Sequence, residues 1–155
     1  MTLLKLQNGS FHPTIAPAVP EIAIADWIAA PDAISAKAAL VIPNDFAVDA
    51  ITNDLSQFEI IILELPNFKD GRVFSQARLL RDRFGFKGEV RARGEILWDQ
   101  ISYLMRCGVD AFEASGPNGA NVNAALTEFT YAYQTSADNR SPIWRLRLQR
   151  AAEAA

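Results

Sequence analysis

Seven consecutive residues, EIIILEL from Glu59 to Leu65, constrain this chain more than any other stretch. A half-exposed strand alternates apolar and polar residues, and this run is too densely apolar and β-branched for that pattern. It reads as a central parallel strand covered on both faces, ended by Pro66. Parallel strands need long crossover connections, usually helices. The rest of the chain therefore has to supply βα units around it.

Upstream, Ala38 to Ile42 (AALVI) is a short apolar run stopped by Pro43, and Asn44-Asp45 can cap a helix reaching about Leu55. Downstream, Val73, Ala77, Leu80 and Phe84 mark one stripe of an amphipathic helix that Gly85 closes. GEVRAR (Gly88 to Arg93) alternates as a strand, and Leu97, Ile101, Leu104, Met105 and Gly108 share one side of the next helix. VDAFEA is a further strand, followed by a helix from about Asn121 to Tyr133. The body thus reads as about four consecutive βα units with parallel strands, an α/β fold that is either half-barrel-like or flavodoxin-like. With 155 residues there is room for one domain, 1–155. It divides into an irregular, proline-rich N-terminal arm (1–37), the α/β body (38–135) and a polar, basic C-terminal tail (136–155).

Composition narrows the function. Fifteen Lys+Arg against eighteen Asp+Glu give a net charge of -3, so no global positive field exists to hold nucleic acid. One cysteine, Cys107, and one histidine, His12, rule out a disulfide framework and leave a poor metal-ligand set; no metal and no cofactor is expected. The dipole at a helix C-terminus disfavours a thiolate at Cys107, which reads as a small buried hydrophobe. No secretory signal and no apolar stretch long enough for a membrane span is visible, which places the protein in the cytoplasm.

In parallel α/β folds, the loops leaving the strand C-termini form the functional edge. There the sequence gathers anion-binding candidates Lys69, Asp70, Gly71, Arg72, Arg91 and Arg93, with Glu64, Asp99 and Glu113 as supporting carboxylates and Ser115-Gly116 on the last loop. KDGR precedes a helix, so Lys69 and Arg72 stand beside unpaired backbone N–H groups suited to a small oxyanion, which Arg72 and Arg91 are expected to hold jointly. The alternative is that Asp70 caps the helix and Arg72 pairs with Glu64 or Asp99. Arg91 and Arg93 share one strand face, and pairing with Glu64 or Glu113 would satisfy them equally well. No nucleophile-elbow, dinucleotide or P-loop pattern is present.

Particular blocks stand out: Pro66, Phe68, Asp70-Gly71-Arg72, Ser75, Ala77-Arg78-Leu79-Leu80-Arg81, Gly88-Glu89, Arg91-Ala92, Asp99-Gln100, Arg106-Cys107-Gly108, and TYAYQ from Thr130 to Gln134. In this combination the chain resembles the bacterial domain of unknown function 934 family. It departs from the pattern at Leu65 (often phenylalanine), at Val73-Phe74 (an aromatic glycine-tyrosine) and at Glu95 (aspartate). The resemblance implies a companion of assimilatory sulfite or nitrite reductases, a group loosely labelled oxidoreductases, and brings no catalytic residue with it. The expected role is therefore an accessory protein that binds the reductase, its electron donor or a small oxyanion. The alternative is a barrel-like enzyme acting on an anionic metabolite, with Glu64, Asp70 or Glu113 as acid or base. Apolar residues at both ends, Ile22, Ile24, Trp27 and Ile28 in the arm and Ile143, Trp144, Leu146 and Leu148 in the tail, predict a homodimer in which one segment crosses between subunits.

Overall fold

A computed structural model describes residues 2–7, 10–16, 18–33, 38–114, 119–127, 129–138 and 140–153. From the N-terminus, β1 (Thr2–Gln7) and β2 (Ser10–Ile15) form an antiparallel hairpin, and β3 (Glu21–Ala23) leads into α1 (Ile24–Ala29). Then come β4 (Ala39–Ile42), β5 (Ile60–Leu65), α2 (Arg72–Asp82), β6 (Glu89–Gly94), α3 (Trp98–Arg106), β7 (Ala111–Ala114), α4 (Gly119–Thr127) and α5 (Ile143–Glu153). All seven strands make one sheet in the order β2-β1-β7-β6-β5-β4-β3. The five strands from β3 to β7 are parallel and lie side by side in chain order. A flavodoxin-like sheet would reverse its order at a switch point; this one does not, and its order is that of a half-barrel.

Right-handed crossovers between strands in sequential order carry every connection over the same face. That face holds the core. Leu40 and Ile42 of β4, Ile61, Leu63 and Leu65 of β5, Val90 and Ala92 of β6 and Phe112 of β7 pack against Val73, Ala77 and Leu80 of α2 and Ile101 and Leu104 of α3. Side chains alternate along a strand, so Ile60, Ile62, Glu64, Glu89, Arg91, Arg93 and Glu113 belong to the opposite face. There Arg93 of β6 reaches Glu21 of β3 at 2.5 Å. Three strand spacings amount to about 14 Å on a flat sheet, more than the two side chains span, so the sheet curls toward this side.

The N-terminal arm is the main departure from expectation. It is three strands and a helix rather than an irregular segment, and it raises the number of parallel strands to five. Ile24 and Trp27 enter the protein's own core, where Trp27 meets Phe58 edge-on at 5.1 Å between ring centres. The helix expected after β4 is replaced by two 3-10 turns, Val48–Ala50 and Leu55–Gln57. Val48, Ile51, Leu55 and Phe58 are all buried at helix-like spacing, but Asp54 accepts from the Ser56 N–H at 2.8 Å and starts a new turn midway. The helix expected to reach Tyr133 stops at Thr127, ahead of a β-branched and aromatic stretch that disfavours helix. The tail, read as polar and basic, is helical over α5.

Candidate functional site

At the C-terminal edge of the parallel strands, the loop after β5 turns into α2. Gly71 is the residue capping α2 and holds an ordinary φ of -76°. Asp70 governs the corner. Its carboxylate accepts the Arg72 backbone N–H at 3.2 Å, the Arg72 guanidinium through Nε (2.9 Å) and Nη2 (2.5 Å), and the buried Asn44 amide at 2.8 Å. The Arg72 hydrogen bonds hold the Asp70 carboxyl down at about 2, so it stays ionised and is a poor base near neutrality. Arg72 thus pairs with its neighbour rather than with Glu64 or Asp99. Lys69 lies over the Phe68 ring at 5.6 Å.

Gln100, from the matched Asp99-Gln100 pair, latches this loop to α3. It donates to the Phe68 carbonyl at 2.8 Å while its own carbonyl accepts from Leu97 N–H at 3.1 Å. Leu97 and Trp98 open α3 and stay exposed, Trp98 at 50%. Asp99 is exposed beside them, and Ser115-Gly116 lie outside the described residues.

Arg91 and Arg93 belong to a separate network on the curled face. Glu113 accepts from Arg91 Nη1 at 3.0 Å and from Arg93 Nε at 2.7 Å. Arg91 also pairs with Glu89, Glu89 with Lys5, and Arg93 with Glu21. The result is a chain of alternating sign: Lys5, Glu89, Arg91, Glu113, Arg93, Glu21. Arg91 and Glu113 at its centre are 2% and 4% exposed. Of the two acceptors expected for these arginines, Glu113 serves and Glu64 does not; among the described residues Glu64 enters no ion pair. Arg72 and Arg91, expected to share an oxyanion, are each engaged by different carboxylates.

This chain of ion pairs is expected to be acid-sensitive. The Arg93 hydrogen bond pulls Glu21 below its usual value; burial pushes Glu89 up, but Lys5 and Arg91 outweigh it and leave Glu89 lowered as well. Carboxyls depressed in the folded state stabilise it above their unfolded pKa, and that contribution is lost as pH falls through the folded values. Urea midpoints are therefore expected to hold from pH 7 to 5 and to drop below about pH 4.5, with a smaller drop in Lys5→Met. An unchanged midpoint at pH 3.5 would contradict the pairing.

Two residues with structural weight, Arg81 and Asp110, are not among the site candidates drawn from the sequence. Arg81 ends α2 by donating to the carbonyls of Gly108 (3.0 Å), Phe86 (2.7 Å) and Gly88 (2.9 Å) and to Asp110 at 2.5 Å. Asp110 also accepts from Val90 N–H at 2.8 Å, so the pair joins the start of β6 to the turn before β7. Burial pushes the Asp110 carboxyl up against the pull of those donors. Both border a cleft of about 580 Å³. The sequence signal for Arg81 is its place in the last turn of α2, where a guanidinium reaches the carbonyls of the following loop.

Cys107 is buried, and that burial raises its thiol pKa. It is expected to react with a thiol reagent far more slowly in the native protein than in urea; equal rates would put it on the surface. Among the described residues no group of histidine, cysteine and carboxylate side chains is placed to hold a metal. No helix there is long and apolar enough to cross a membrane.

Five parallel strands in chain order, helices on one face and an ion-pair chain on the other define a half-barrel-like α/β protein. The chain belongs to a family of bacterial proteins of unknown function, DUF934, whose family model matches residues 39–144, from β4 to the first turn of α5. No curated protein and no solved structure matches it.

Proposed function

We propose that the protein is an accessory binding protein of assimilatory sulfite or nitrite reduction, which docks the reductase or its electron donor at the strand C-terminal edge. One observation carries this reading. The arginines that could have formed a small-molecule site, Arg72, Arg91 and Arg93, are engaged by the protein's own carboxylates, while Leu97 and Trp98 stand exposed at the strand C-terminal edge. An ionised Asp70 clamped by Arg72 is unsuited to acid–base work. A small oxyanion would have to displace that carboxylate from the guanidinium fork to bind there. Tryptophan is among the side chains that most often carry the binding energy of a protein contact. The association with reduction rests on the family resemblance in the Pro66 to Glu113 blocks. The test is direct binding of the full chain to purified sulfite reductase, nitrite reductase and their electron donors. Saturable binding to one of them, weakened by Trp98→Ser, is the expected result, and no binding to any of them would refute the proposal.

A further inference from the structure

Of the two apolar ends, the structure consumes one and leaves the other. The arm's Ile24 and Trp27 are buried in their own subunit. In α5, by contrast, no side chain is fully buried, and Trp144 (46% exposed) and Leu148 (64%) lie one turn apart on one stripe. Its start is anchored, since Pro142 is buried and Ile143 N–H donates to the Ala132 carbonyl at 2.8 Å, and further along it Leu146 is half-buried. An isolated helix of three turns is marginal in water and gains its stability from a surface that covers its apolar side.

The same chain carries an exposed aromatic cleft. Tyr103, Phe129, Tyr131 and Tyr133, all more than half exposed, line a cleft of about 220 Å³ around Ala132. Its charged rim is Asp99, Arg106 (held by Asp138 at 3.1 Å) and Arg140 (donating to the Thr130 carbonyl at 2.9 Å). Of the ten large apolar side chains exposed in the described residues, six lie in α5 or this cleft.

We propose that α5 is the exchanged arm of a two-fold homodimer, and that Trp144 and Leu148 of one copy occupy the aromatic cleft of the other. Two arguments select a second copy as the occupant. Helix and cleft adjoin at the Ile143–Ala132 hydrogen bond, so a single two-fold axis beside that point can place each helix on the other's cleft. Charge allows it. Arg145, Arg147 and Arg150 against Glu153 give α5 a net +2 in a chain of net -3, so the rest of a neighbouring copy carries -5 and favours the approach of the helix, while the cleft rim itself, with Arg106 offset by Asp138 and Asp99 beside Arg140, is close to neutral. This proposal stands apart from the reductase reading, which uses Leu97 and Trp98.

Light scattering on the full chain at tens of micromolar is the test. The wild type is expected to be a dimer, and Trp144→Ser/Leu148→Ser and Tyr131→Ser/Tyr133→Ser are each expected to weaken it at least about tenfold while circular dichroism stays that of the folded protein. Mixing the two variants should restore a heterodimer, because one intact helix then meets one intact cleft. A monomeric wild type would overturn the proposal, as would a dimer indifferent to both double variants. So would a monomer whose α5 instead binds anionic phosphatidylglycerol vesicles.

Discussion

Replacing Glu113 with alanine is expected to lower the stability of the protein by about 3 kcal/mol, the usual cost of breaking a buried ion pair from one side. The reason is the company it keeps. Glu113 is the acceptor that Arg91 and Arg93 share, and Arg91 is 2% exposed, so its guanidinium cannot turn to water when the carboxylate goes. Glu89 still neutralises part of the charge, which keeps the effect from being larger. Glu113→Gln keeps an oxygen acceptor and should lose less. Urea unfolding of the three proteins at pH 7 measures the difference. A loss below about 1 kcal/mol for the alanine variant, the range of surface pairs, would show that the curled face is wet and the chain of charges loose.

The second large effect is expected at Gly94, where β6 leaves the sheet. Its φ is +130°, and a Cβ built there would lie 2.1 Å from the Leu65 carbonyl oxygen. The obstacle is the backbone of the neighbouring strand, which has no rotamer to give. Gly94→Ala therefore combines strain of roughly 1–3 kcal/mol with a displaced β5–β6 ladder, and the variant is expected to unfold at least 10 °C lower or to fail to fold, at roughly 2–4 °C per kcal/mol in a domain of this size. Gly85→Ala is the control. It also replaces a glycine of positive φ, +61°, but nothing lies within 4 Å of its Cβ, so about 1 kcal/mol is expected. Similar losses at the two positions would mean that the close approach at Leu65 is not maintained.

The parts of the fold that could be read from the sequence are those whose burial is periodic. The run at β5 is apolar on both faces because one side meets helices and the other lies inside the curl. The stripes of α2 and α3 survive because their opposite faces are solvated. What was lost had contradictory local signals. Pro13 made the second strand look like a break, although a sheet-edge strand tolerates proline, and β2 is such an edge. Asn8-Gly9 between two alternating segments was the available hairpin signal, and the register pairs Gln7 with Ser10 on either side of it.

That loss carried over to the candidate site. Alternation in GEVRAR already put Glu89 on the face of Arg91 and Arg93, but Lys5 and Glu21, which close the ion chain at its two ends, sit on strands hidden in the arm. The arginines could therefore be placed correctly on one face and still be offered to an external anion. For Arg72 the obstacle was distance in sequence. Asp70 was read as a helix cap, and a carboxylate two residues away also proved to be the guanidinium's own partner.

The central claim is that the apolar rim, and not the charged corner beside it, is what the strand C-terminal edge offers to a partner. The most direct measurement is the affinity of the proposed partner, a reductase or its electron donor, for three versions of the full chain: wild type, Arg72→Ala and Trp98→Ser. Wild-type affinity is expected for Arg72→Ala and a loss of at least about tenfold for Trp98→Ser, with both variants folded as judged by Tm. Loss of binding in Arg72→Ala with Trp98→Ser unaffected would contradict it.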